Sequence, residues 1–292
     1  MNPRLPKDCV LVTGGTGFIG RPVVRKLLAD PAINVVLATR DPDALRSRFP
    51  AAQCEMLSLD VLDPRSWSDV DLSRYSRLLH LAWGALHDFN CIDHMTVQLP
   101  RHLAFLHKAI NEGIGSLTVA GTCLEYGLRD GCLNEDVPTA PVTQYGLAKD
   151  SLRRSLELLR AERSFALKWI RIFYLFGPGQ QPKSLLAQLD AAINRGERRF
   201  DMSQGTQLRD YLPVEAAADQ IVKIFRHPTF EGIVNCASGS PISVRRLVET
   251  RLEERGATME LGLGKFTYPK YEPFGFWADN ARLQQIMQGS PQ

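Results

Sequence analysis

The sequence lacks the features of a membrane protein or an exported protein. No run of about 18 apolar residues occurs in the 292 residues, so no transmembrane helix is expected. Residues 1–7 contain two prolines and no apolar segment, which argues against a secretory signal. These absences predict a cytoplasmic protein without contact to a membrane.

Strong charge patterns and metal-binding patterns are also missing. The chain has 35 lysines and arginines against 32 aspartates and glutamates, a formal charge of +3, with no block of like charges. This balance argues against nucleic acid as a partner. The six cysteines show no Cys-x-x-Cys spacing and no pattern with histidine. We therefore expect reduced, mostly buried thiols and no metal ion.

The first part of the sequence alternates short apolar runs with amphipathic stretches. The apolar runs predict strands at 9–13, 35–39, 55–59, 77–82, 116–120 and 167–172. The amphipathic stretches predict helices at 21–29, 99–111 and 144–162. This alternation is typical of right-handed βαβ crossovers around a parallel sheet that is covered on both faces.

After residue 176 the pattern loosens. Helices are predicted at 184–194, 214–225 and 244–254, separated by short strand-like runs. We predict an α/β protein in which residues 1–176 form a doubly wound parallel sheet. Residues 177–292 are expected to form a smaller mixed lobe that binds substrate, with some chain crossing back to the first part. Such a lobe would close over the carboxyl edge of the sheet, where ligands bind in open α/β folds.

A glycine-rich turn follows the first predicted strand. It reads Gly14-Gly15-Thr16-Gly17-Phe18-Ile19-Gly20 and opens a predicted helix. Glycines at this spacing let the chain turn tightly and let backbone N–H groups approach a pyrophosphate, and the helix N-terminus adds partial positive charge. The context predicts a Rossmann-type dinucleotide site formed by Gly14, Gly17, Phe18, Ile19 and Gly20.

The ends of the second and third predicted strands bear on the kind of cofactor. An acid after the second strand would bind the ribose 2′-hydroxyl of NAD, but Thr39 stands there and Arg40 follows. A guanidinium matches a 2′-phosphate in geometry and charge, which favours NADP(H) over NAD(H). The alternative is a solvated Arg40, with Asp41 in the role of the acid. Asp60-Val61 predicts either a contact with the adenine or a simple strand-end turn.

A Tyr-x-x-x-Lys pair lies at the start of the long predicted helix. Tyr145 and Lys149 are four residues apart and therefore share one face of the helix. An ammonium beside a phenol stabilises the phenolate and lowers the tyrosine pKa. The same lysine has the length to reach the ribose of the cofactor. Thr122 follows the fifth predicted strand, which places its hydroxyl at the carboxyl edge of the sheet.

Together these residues resemble the extended short-chain dehydrogenase/reductase family, which contains nucleotide-sugar epimerases, dehydratases and ketoreductases. The similarity covers nearly the whole chain, with its marks at 13–20, 60–61, 80–82, 122–127, 145–149, 171–173, 177–180, 209–211, 214, 235–243 and 278–280. The resemblance implies that Thr122, Tyr145 and Lys149 form a catalytic triad. It also implies that Arg209 contacts the pyrophosphate of a nucleotide sugar, and that the loop after Leu81 and Ala82 passes beside the nicotinamide.

Two aromatic residues depart from the family pattern and are expected to contact the substrate. Trp83 replaces a small residue after His80-Leu81-Ala82, and Tyr174 replaces an asparagine before the turn at 176–178. Trp83 has two further interpretations, a stack on the nicotinamide or a filler between the lobes. The family often dimerises through the helix that carries the Tyr-Lys pair. That helix here contains Leu152, Leu156 and Leu159, which allows a homodimer.

A further departure concerns the reaction. In the 4,6-dehydratases of the family an Asp-Glu pair follows the catalytic threonine, whereas Cys123-Leu124 follows Thr122 here. Elimination of water needs an acid and a base, and this pair supplies neither, so dehydration is disfavoured. The leading hypothesis is an NADPH-dependent ketoreductase acting on a nucleotide-linked 4-keto-6-deoxy sugar. The alternative is a nucleotide-sugar 4-epimerase with tightly bound NAD. A non-catalytic relative is disfavoured because the triad is intact.

Overall fold

The computed structural model describes residues 9–43, 49, 54–268 and 270–289. Its strands are β1 (Cys9–Thr13), β2 (Asn34–Thr39), β3 (Glu55–Ser58), β4 (Arg77–His80), β5 (Ser116–Thr122), β6 (Gly131–Leu133), β7 (Ala166–Ile172), β8 (Tyr174–Phe176), β9 (Arg199–Asp201), β10 (Leu208–Pro213), β11 (Gly232–Cys236), β12 (Pro241–Ser243), β13 (Glu260–Gly262) and β14 (Phe276–Ala278). Its α-helices are α1 (Gly20–Leu28), α2 (Leu99–Asn111), α3 (Gln144–Leu159), α4 (Leu185–Asn194), α5 (Val214–Arg226), α6 (Val244–Glu254) and α7 (Ala281–Gln288). The strands and helices predicted from the sequence are confirmed, with ends that differ by at most three residues.

The large sheet has the strand order β3-β2-β1-β4-β5-β7-β11, and its neighbouring strands run parallel. The chain winds outward from β1 to β3, then returns to β4 and winds outward on the other side. The carboxyl ends of β1 and β4 therefore border a crevice at the point where the winding reverses, with Thr13 paired to His80. Open α/β sheets bind their ligands at this point. The predicted doubly wound parallel sheet is confirmed.

Helices cover both faces of this sheet. Helices α1, α5 and α7 contribute to the apolar core on one face, and α2 and α3 contribute to the core on the other. Burial on both faces explains why the strands read as continuous apolar runs, such as β1, which is buried at every position. Within the described part of the chain, no helix combines the length and the apolarity of a membrane span.

The leucines of helix α3 that would allow a dimer interface are covered by the protein itself. Leu152 and Leu156 are fully buried, and Leu159 packs partly against the same core, so these side chains face the sheet rather than a partner. The physical reason is that these residues continue the apolar stripe of Ala148, which covers the sheet at helical spacing. The exposed large apolar residue near the end of this helix is Leu158 instead.

The smaller part contains short mixed sheets, with β10 parallel to β8 and antiparallel to β12. Helices α4 and α6 enclose a separate apolar core with β9, and the β9-β13 pair extends it. Helix α5, strand β11 and helix α7 come late in the sequence, yet they pack on or within the large sheet. The division of the chain at residue 176 stays a prediction.

Candidate active site

The glycine turn lies between the carboxyl end of β1 and the loop that follows β4. Gly14 has φ of +71°, and a Cβ there would lie 2.5 Å from the backbone nitrogen of Ala82. A Cβ on Gly20 would lie 2.1 Å from the carbonyl oxygen of Gly14. Neither position has room for a side chain, so the turn lies directly against the loop at 81–82 and the first residue of α1. This close-packed cradle at a helix N-terminus fits the pyrophosphate of a dinucleotide.

The rest of the predicted cofactor site surrounds this turn. Gly17 is exposed and donates its N–H to the carbonyl of Gly14 at 3.0 Å, and the half-buried Phe18 and Ile19 lead into α1. The backbone N–H of Leu81 is bonded to the Thr13 carbonyl at 3.0 Å, which keeps the loop after β4 at the mouth of the crevice. The residues at 14–20 and at 81–82 are therefore close together at one edge of the sheet.

At the ends of β2 and β3 the structure shows two tight turns. The Thr39 hydroxyl accepts the backbone N–H of Asp41 at 3.3 Å, and Arg40, between them, is exposed. Asp60 accepts the backbone N–H of Leu62 at 2.9 Å, while Val61 is buried in the core. The contacts of Asp60 and Val61 are those of a strand-end turn. A role of Arg40, Asp60 or Val61 in binding the cofactor stays a prediction.

Thr122 ends β5 and begins a short 3₁₀ turn at Cys123–Tyr126. Its hydroxyl accepts the backbone N–H of Leu124 at 3.3 Å, and the carboxylate of Glu125 accepts the backbone N–H of Thr122 at 2.9 Å. This reciprocal capping box fixes the residue on both sides. The Thr122 hydroxyl is also hydrogen-bonded to the side chain of Tyr145. The structure thus brings two of the predicted catalytic residues together at the carboxyl edge of the sheet.

Tyr145 and Lys149 lie in the first turns of α3, which Thr143 caps by accepting the N–H of Gly146 at 3.0 Å. The ammonium of Lys149 is buried, donates to the Ala120 carbonyl at 2.8 Å and lies 3.9 Å from the ring centroid of Trp83. It therefore contacts a strand end and an aromatic face at the same time. The three predicted catalytic side chains converge on one place.

The pKa values of the Tyr-Lys pair differ from the expectation. Burial raises the pKa of Tyr145, and the charge of Glu125 and the neighbouring Cys123 raise it further, while the hydrogen bond with Thr122 opposes them. Burial lowers the pKa of Lys149 to about 7, and the charge of Glu125 partly offsets this. The expected lowering of the tyrosine pKa by the lysine is absent from this arrangement: burial and the carboxylate of Glu125 both raise the pKa of Tyr145, and Lys149 is not among the groups that act on it.

Trp83 lies between the predicted lysine and two histidines. Its ring stacks on His102 with centroids 4.5 Å apart, and its indole N–H donates to Nδ1 of His94 at 3.1 Å. Because the indole only donates, His94 carries its proton on Nε2, which contacts the Asp88 carbonyl at 3.0 Å. Trp83 therefore holds Lys149 in this structure. The predicted contact of Trp83 with substrate stays a prediction.

A chain of buried side chains lies behind Trp83 and was not foreseen. Thr13 contacts Nδ1 of His80 at 2.8 Å, Nε2 of His80 contacts Nδ1 of His102 at 2.8 Å, and Nε2 of His102 faces Oε1 of Gln98 at 3.3 Å. Gln98 in turn accepts the N–H of Gly84 at 2.8 Å. Burial lowers the pKa of His80 to about 3 and that of His102 well below its usual range, so both are neutral. The chain links the sheet to the loop that carries Trp83.

Arg209 and Tyr174, both predicted to bind substrate, meet at the carboxylate of Glu272. Arg209 donates from Nη2 to Oε2 at 2.8 Å, and the Tyr174 hydroxyl donates to Oε1 at 2.7 Å. Arg209 also donates from Nη1 to the carbonyl of Phe274 at 3.1 Å. Glu272 was missed because no local pattern marks it, and it follows Arg209 by 63 residues.

The residues after Thr122 do not provide an acid-base pair. Cys123 is buried, and burial together with the charge of Glu272 raises the pKa of its thiol. Leu124 is apolar, and the carboxylate of Glu125 points into the core toward Trp169 and Arg171. The geometry supports proton exchange at Tyr145 and no elimination chemistry at these positions.

Comparison with known proteins agrees with the fold and identifies the family. The family model of the NAD dependent epimerase/dehydratase family matches residues 10–237. The chain is 28% identical to a dTDP-6-deoxy-L-talose 4-dehydrogenase (NAD(+)) of Aggregatibacter actinomycetemcomitans, over 92% of this chain and 98% of the relative. It is 30% identical to a dTDP-6-deoxy-L-talose 4-dehydrogenase (NAD(P)(+)) of Kitasatospora kifunensis, over 89% of this chain and 83% of the relative.

A solved structure gives the same result in three dimensions. MoeE5 in complex with UDP-glucose and NAD superposes with a TM-score of 0.77 at 25% identity, covering 97% of this chain and 93% of that one. The sheet order, the glycine cradle, the matched family model and these relatives agree with one another. The chain belongs to the NAD dependent epimerase/dehydratase family.

Proposed function

We propose that this protein is an NADPH-dependent ketoreductase that reduces the C4 ketone of a nucleotide-linked 4-keto-6-deoxy sugar. The observation that carries the proposal is the convergence of Thr122, Tyr145 and Lys149 beside the glycine cradle, without an acid-base pair after Thr122. Both relatives described above are named as 4-dehydrogenases of a dTDP-linked 6-deoxy sugar. Removal of hydrogen at C4 is the reverse of reduction of a 4-ketone, so their names support the same bond and the same substrate class.

The triad has a distinct task for each residue. When bound, the dinucleotide would supply the hydride for the carbonyl carbon. The phenol of Tyr145 is protonated at neutral pH and is placed to give its proton to the sugar oxygen. The Thr122 hydroxyl, fixed by its capping box, positions that same oxygen. Lys149, with a pKa of about 7, is suited to return a proton toward Tyr145.

The preference for NADP(H) rests on Arg40. Its side chain is exposed at the carboxyl end of β2, where the ribose of a bound dinucleotide lies in this fold class. The residue at the end of β2, where an acid would bind the ribose 2′-hydroxyl of NAD, is Thr39. The two relatives are named for NAD(+) in one case and NAD(P)(+) in the other. The cofactor preference is therefore a property to test on this chain.

The test measures turnover of a dTDP-linked 4-keto-6-deoxyhexose, monitored by the loss of NADPH absorbance. We expect one NADPH consumed for each ketone reduced and no reaction without added cofactor. The product should carry a new hydroxyl at C4, identified by NMR. A protein purified with stoichiometric NAD that interconverts UDP-hexoses without added cofactor would contradict the proposal and establish the 4-epimerase.

We infer also that the protein forms a homodimer through α3 and the segment that precedes α2. Exposed apolar side chains lie on both elements, with Leu158 74%, Leu147 41% and Val97 40% exposed. Light scattering should give twice the 32.7 kDa chain mass, and Leu158→Glu should lower it to the monomer value. A wild-type protein that is monomeric at micromolar concentration would refute this inference.

A further inference from the structure

Glu125 is a buried charged residue for which the reaction described above has no role. It lies one turn after Thr122 in the 3₁₀ segment Cys123–Tyr126, and its side chain is fully inaccessible to solvent. A carboxylate is costly to bury, so its position requires a compensating set of contacts. Those contacts point toward the catalytic residues.

Every close polar partner of Glu125 is a hydrogen-bond donor. Oε1 accepts the backbone N–H of Thr122 at 2.9 Å and the indole N–H of Trp169 at 2.9 Å. Oε2 accepts from Nε of Arg171 at 2.9 Å, and Nε of Arg153 lies 3.9 Å away. A protonated carboxyl would need an acceptor for its own hydrogen, and these partners provide none. Burial raises the pKa of Glu125, but the donors and Arg171 favour the ionised form.

The hydrogen bond to Thr122 has a direct geometric consequence. The carboxylate holds the backbone N–H of Thr122, and the Thr122 hydroxyl holds the N–H of Leu124 in return. Because the backbone and the hydroxyl are fixed together, the oxygen that contacts Tyr145 has a set position. A loss of the carboxylate would release the peptide group of the residue that orients the reacting oxygen.

The charge of Glu125 reaches the other two catalytic residues. Its carboxylate raises the pKa of both Tyr145 and Lys149, so it favours the protonated form of each. Cys123 is the other titratable group that acts on Tyr145. The ring of His94 also lies 5.1 Å from that of Tyr145.

On the side of Lys149, the neutral His80 and His102 are within electrostatic range, as is His94. Among the groups that act on the pKa of Lys149, Glu125 is the one that carries a negative charge. The field at the lysine therefore depends on this carboxylate.

We propose that Glu125 is a positioning residue of the reduction: it fixes Thr122 from behind, and its negative charge sets the field in which Tyr145 and Lys149 exchange protons. This inference rests on the proposed ketoreductase function for its kinetic part. Its electrostatic part is measured on Lys149 and is independent of the substrate.

The test compares Glu125→Gln with a matched control, Glu135→Gln. Glutamine keeps an oxygen for the Thr122 N–H and removes the charge. Glu135 is a second buried glutamate, which accepts the backbone N–H of Asn235 at 2.8 Å and lies 3.8 Å from Arg282. It shares the type, burial and arginine contact of Glu125 but not the contact with Thr122.

The first measurement is an NMR titration of ¹³C-labelled lysine side chains, with Lys149 assigned by its disappearance in Lys149→Met. Glu125→Gln should lower the midpoint of Lys149, and Glu135→Gln should leave it at the wild-type value. An unchanged midpoint in folded Glu125→Gln would overturn the electrostatic role, whatever the enzyme reduces. If the single variant does not fold, Glu125→Gln/Arg171→Gln removes both charges together, with the same expected direction.

The second measurement is the pH profile of kcat for NADPH-dependent reduction. Glu125→Gln should lose about 10- to 100-fold in kcat through misplacement of Thr122. Its alkaline limb should also move to lower pH, because the rate needs protonated Tyr145 and Lys149. If the variant lost stability but the limbs of its pH profile stayed at the wild-type pH, Glu125 would have only a structural role. A wild-type protein that reduces no 4-ketone would refute the proposed function, and the lysine titration would still decide the electrostatic role.

Discussion

The guanidinium of Arg209 is held by the carboxylate of Glu272, at 2.8 Å between Nη2 and Oε2. Both side chains are largely buried, and Glu272 also accepts the hydroxyl of Tyr174, whose pKa is raised well above its usual range by burial and by this carboxylate. The resemblance to the family assigns Arg209 to the diphosphate of the substrate. In this structure the guanidinium that the resemblance assigns to a phosphate is paired with a carboxylate of the protein itself.

Removal of the Glu272 charge should strengthen the binding of a nucleoside diphosphate. A diphosphate at Arg209 must meet the negative charge of Glu272, so Glu272→Gln should tighten the binding of free dTDP or UDP by about tenfold, which is ~1.4 kcal/mol. Calorimetry on the cofactor-loaded protein measures this. Glu260→Gln, at an exposed partner of Arg199 in the same lobe, serves as the control and should change nothing. Weaker binding in Glu272→Gln would show that the carboxylate builds the site instead of competing with the ligand.

Tyr145→Phe should abolish most of the reduction without harming the fold. The variant removes the proton donor while it keeps the ring that stacks on Phe89 with centroids 5.4 Å apart. We expect kcat to fall by about 10²- to 10⁴-fold and the affinity for NADPH to stay unchanged. Single-turnover absorbance and cofactor fluorescence measure the two quantities. Tyr75→Phe, at a buried tyrosine of the α2-side core, is the control. Retention of more than a tenth of the wild-type rate would remove Tyr145 from the mechanism.

The low pKa of Lys149 should appear in the stability of the cofactor-free protein. The folded pKa is about 7 and the ordinary value is 10.5, so between these values the unfolded chain binds more protons than the native one. The free energy of unfolding should therefore rise with pH in this window. From pH 7 to 8.5 the contribution is about 1.5 kcal/mol. Lys168, with a pKa of about 8, acts in the same direction at the upper end of the window.

Denaturant titrations of wild type and Lys149→Met at several pH values isolate this contribution. The difference between the two proteins should increase with pH from 7 to 8.5, because Lys168 and the cysteines are common to both and cancel. Parallel curves would mean that burial does not lower the pKa of Lys149 in the folded protein.

The sequence predicted the sheet well for a physical reason. Strands buried on both faces, such as β1, must be apolar throughout, and glycines mark the turn between β1 and α1, so local sequence carries the information. The position of Thr122 at the carboxyl edge of the sheet followed from one rule, that carboxyl ends of parallel strands meet at one edge. Its convergence with the Tyr-Lys pair was implied by the resemblance to the family.

What the sequence did not show are the contacts between residues far apart in the chain. The pair of His80 and His102 and the pair of Arg209 and Glu272 span 22 and 63 residues. No periodicity or spacing rule marks such partners. The interpretation of Leu152 and Leu156 as residues of a dimer interface does not hold, for a related reason. An apolar stripe indicates a buried face, but it does not tell whether the sheet or a second subunit covers that face.

The predicted preference for NADP(H) depends on Arg40. If its guanidinium binds the 2′-phosphate, Arg40→Ala should weaken NADPH binding by about tenfold or more and leave NADH binding unchanged, since a charge-assisted hydrogen bond contributes roughly 1.5–3 kcal/mol. Fluorescence titration of both cofactors gives the ratio. Arg195→Ala, at an exposed arginine of the other lobe paired with Glu197, controls for the loss of one positive charge. Asp41→Asn tests the alternative that Asp41 takes the role of the acid. A weaker affinity for NADH in that variant would show that Asp41 binds the ribose. Equal affinities of the wild-type protein for both cofactors would remove the main reason to favour a reductase that consumes NADPH.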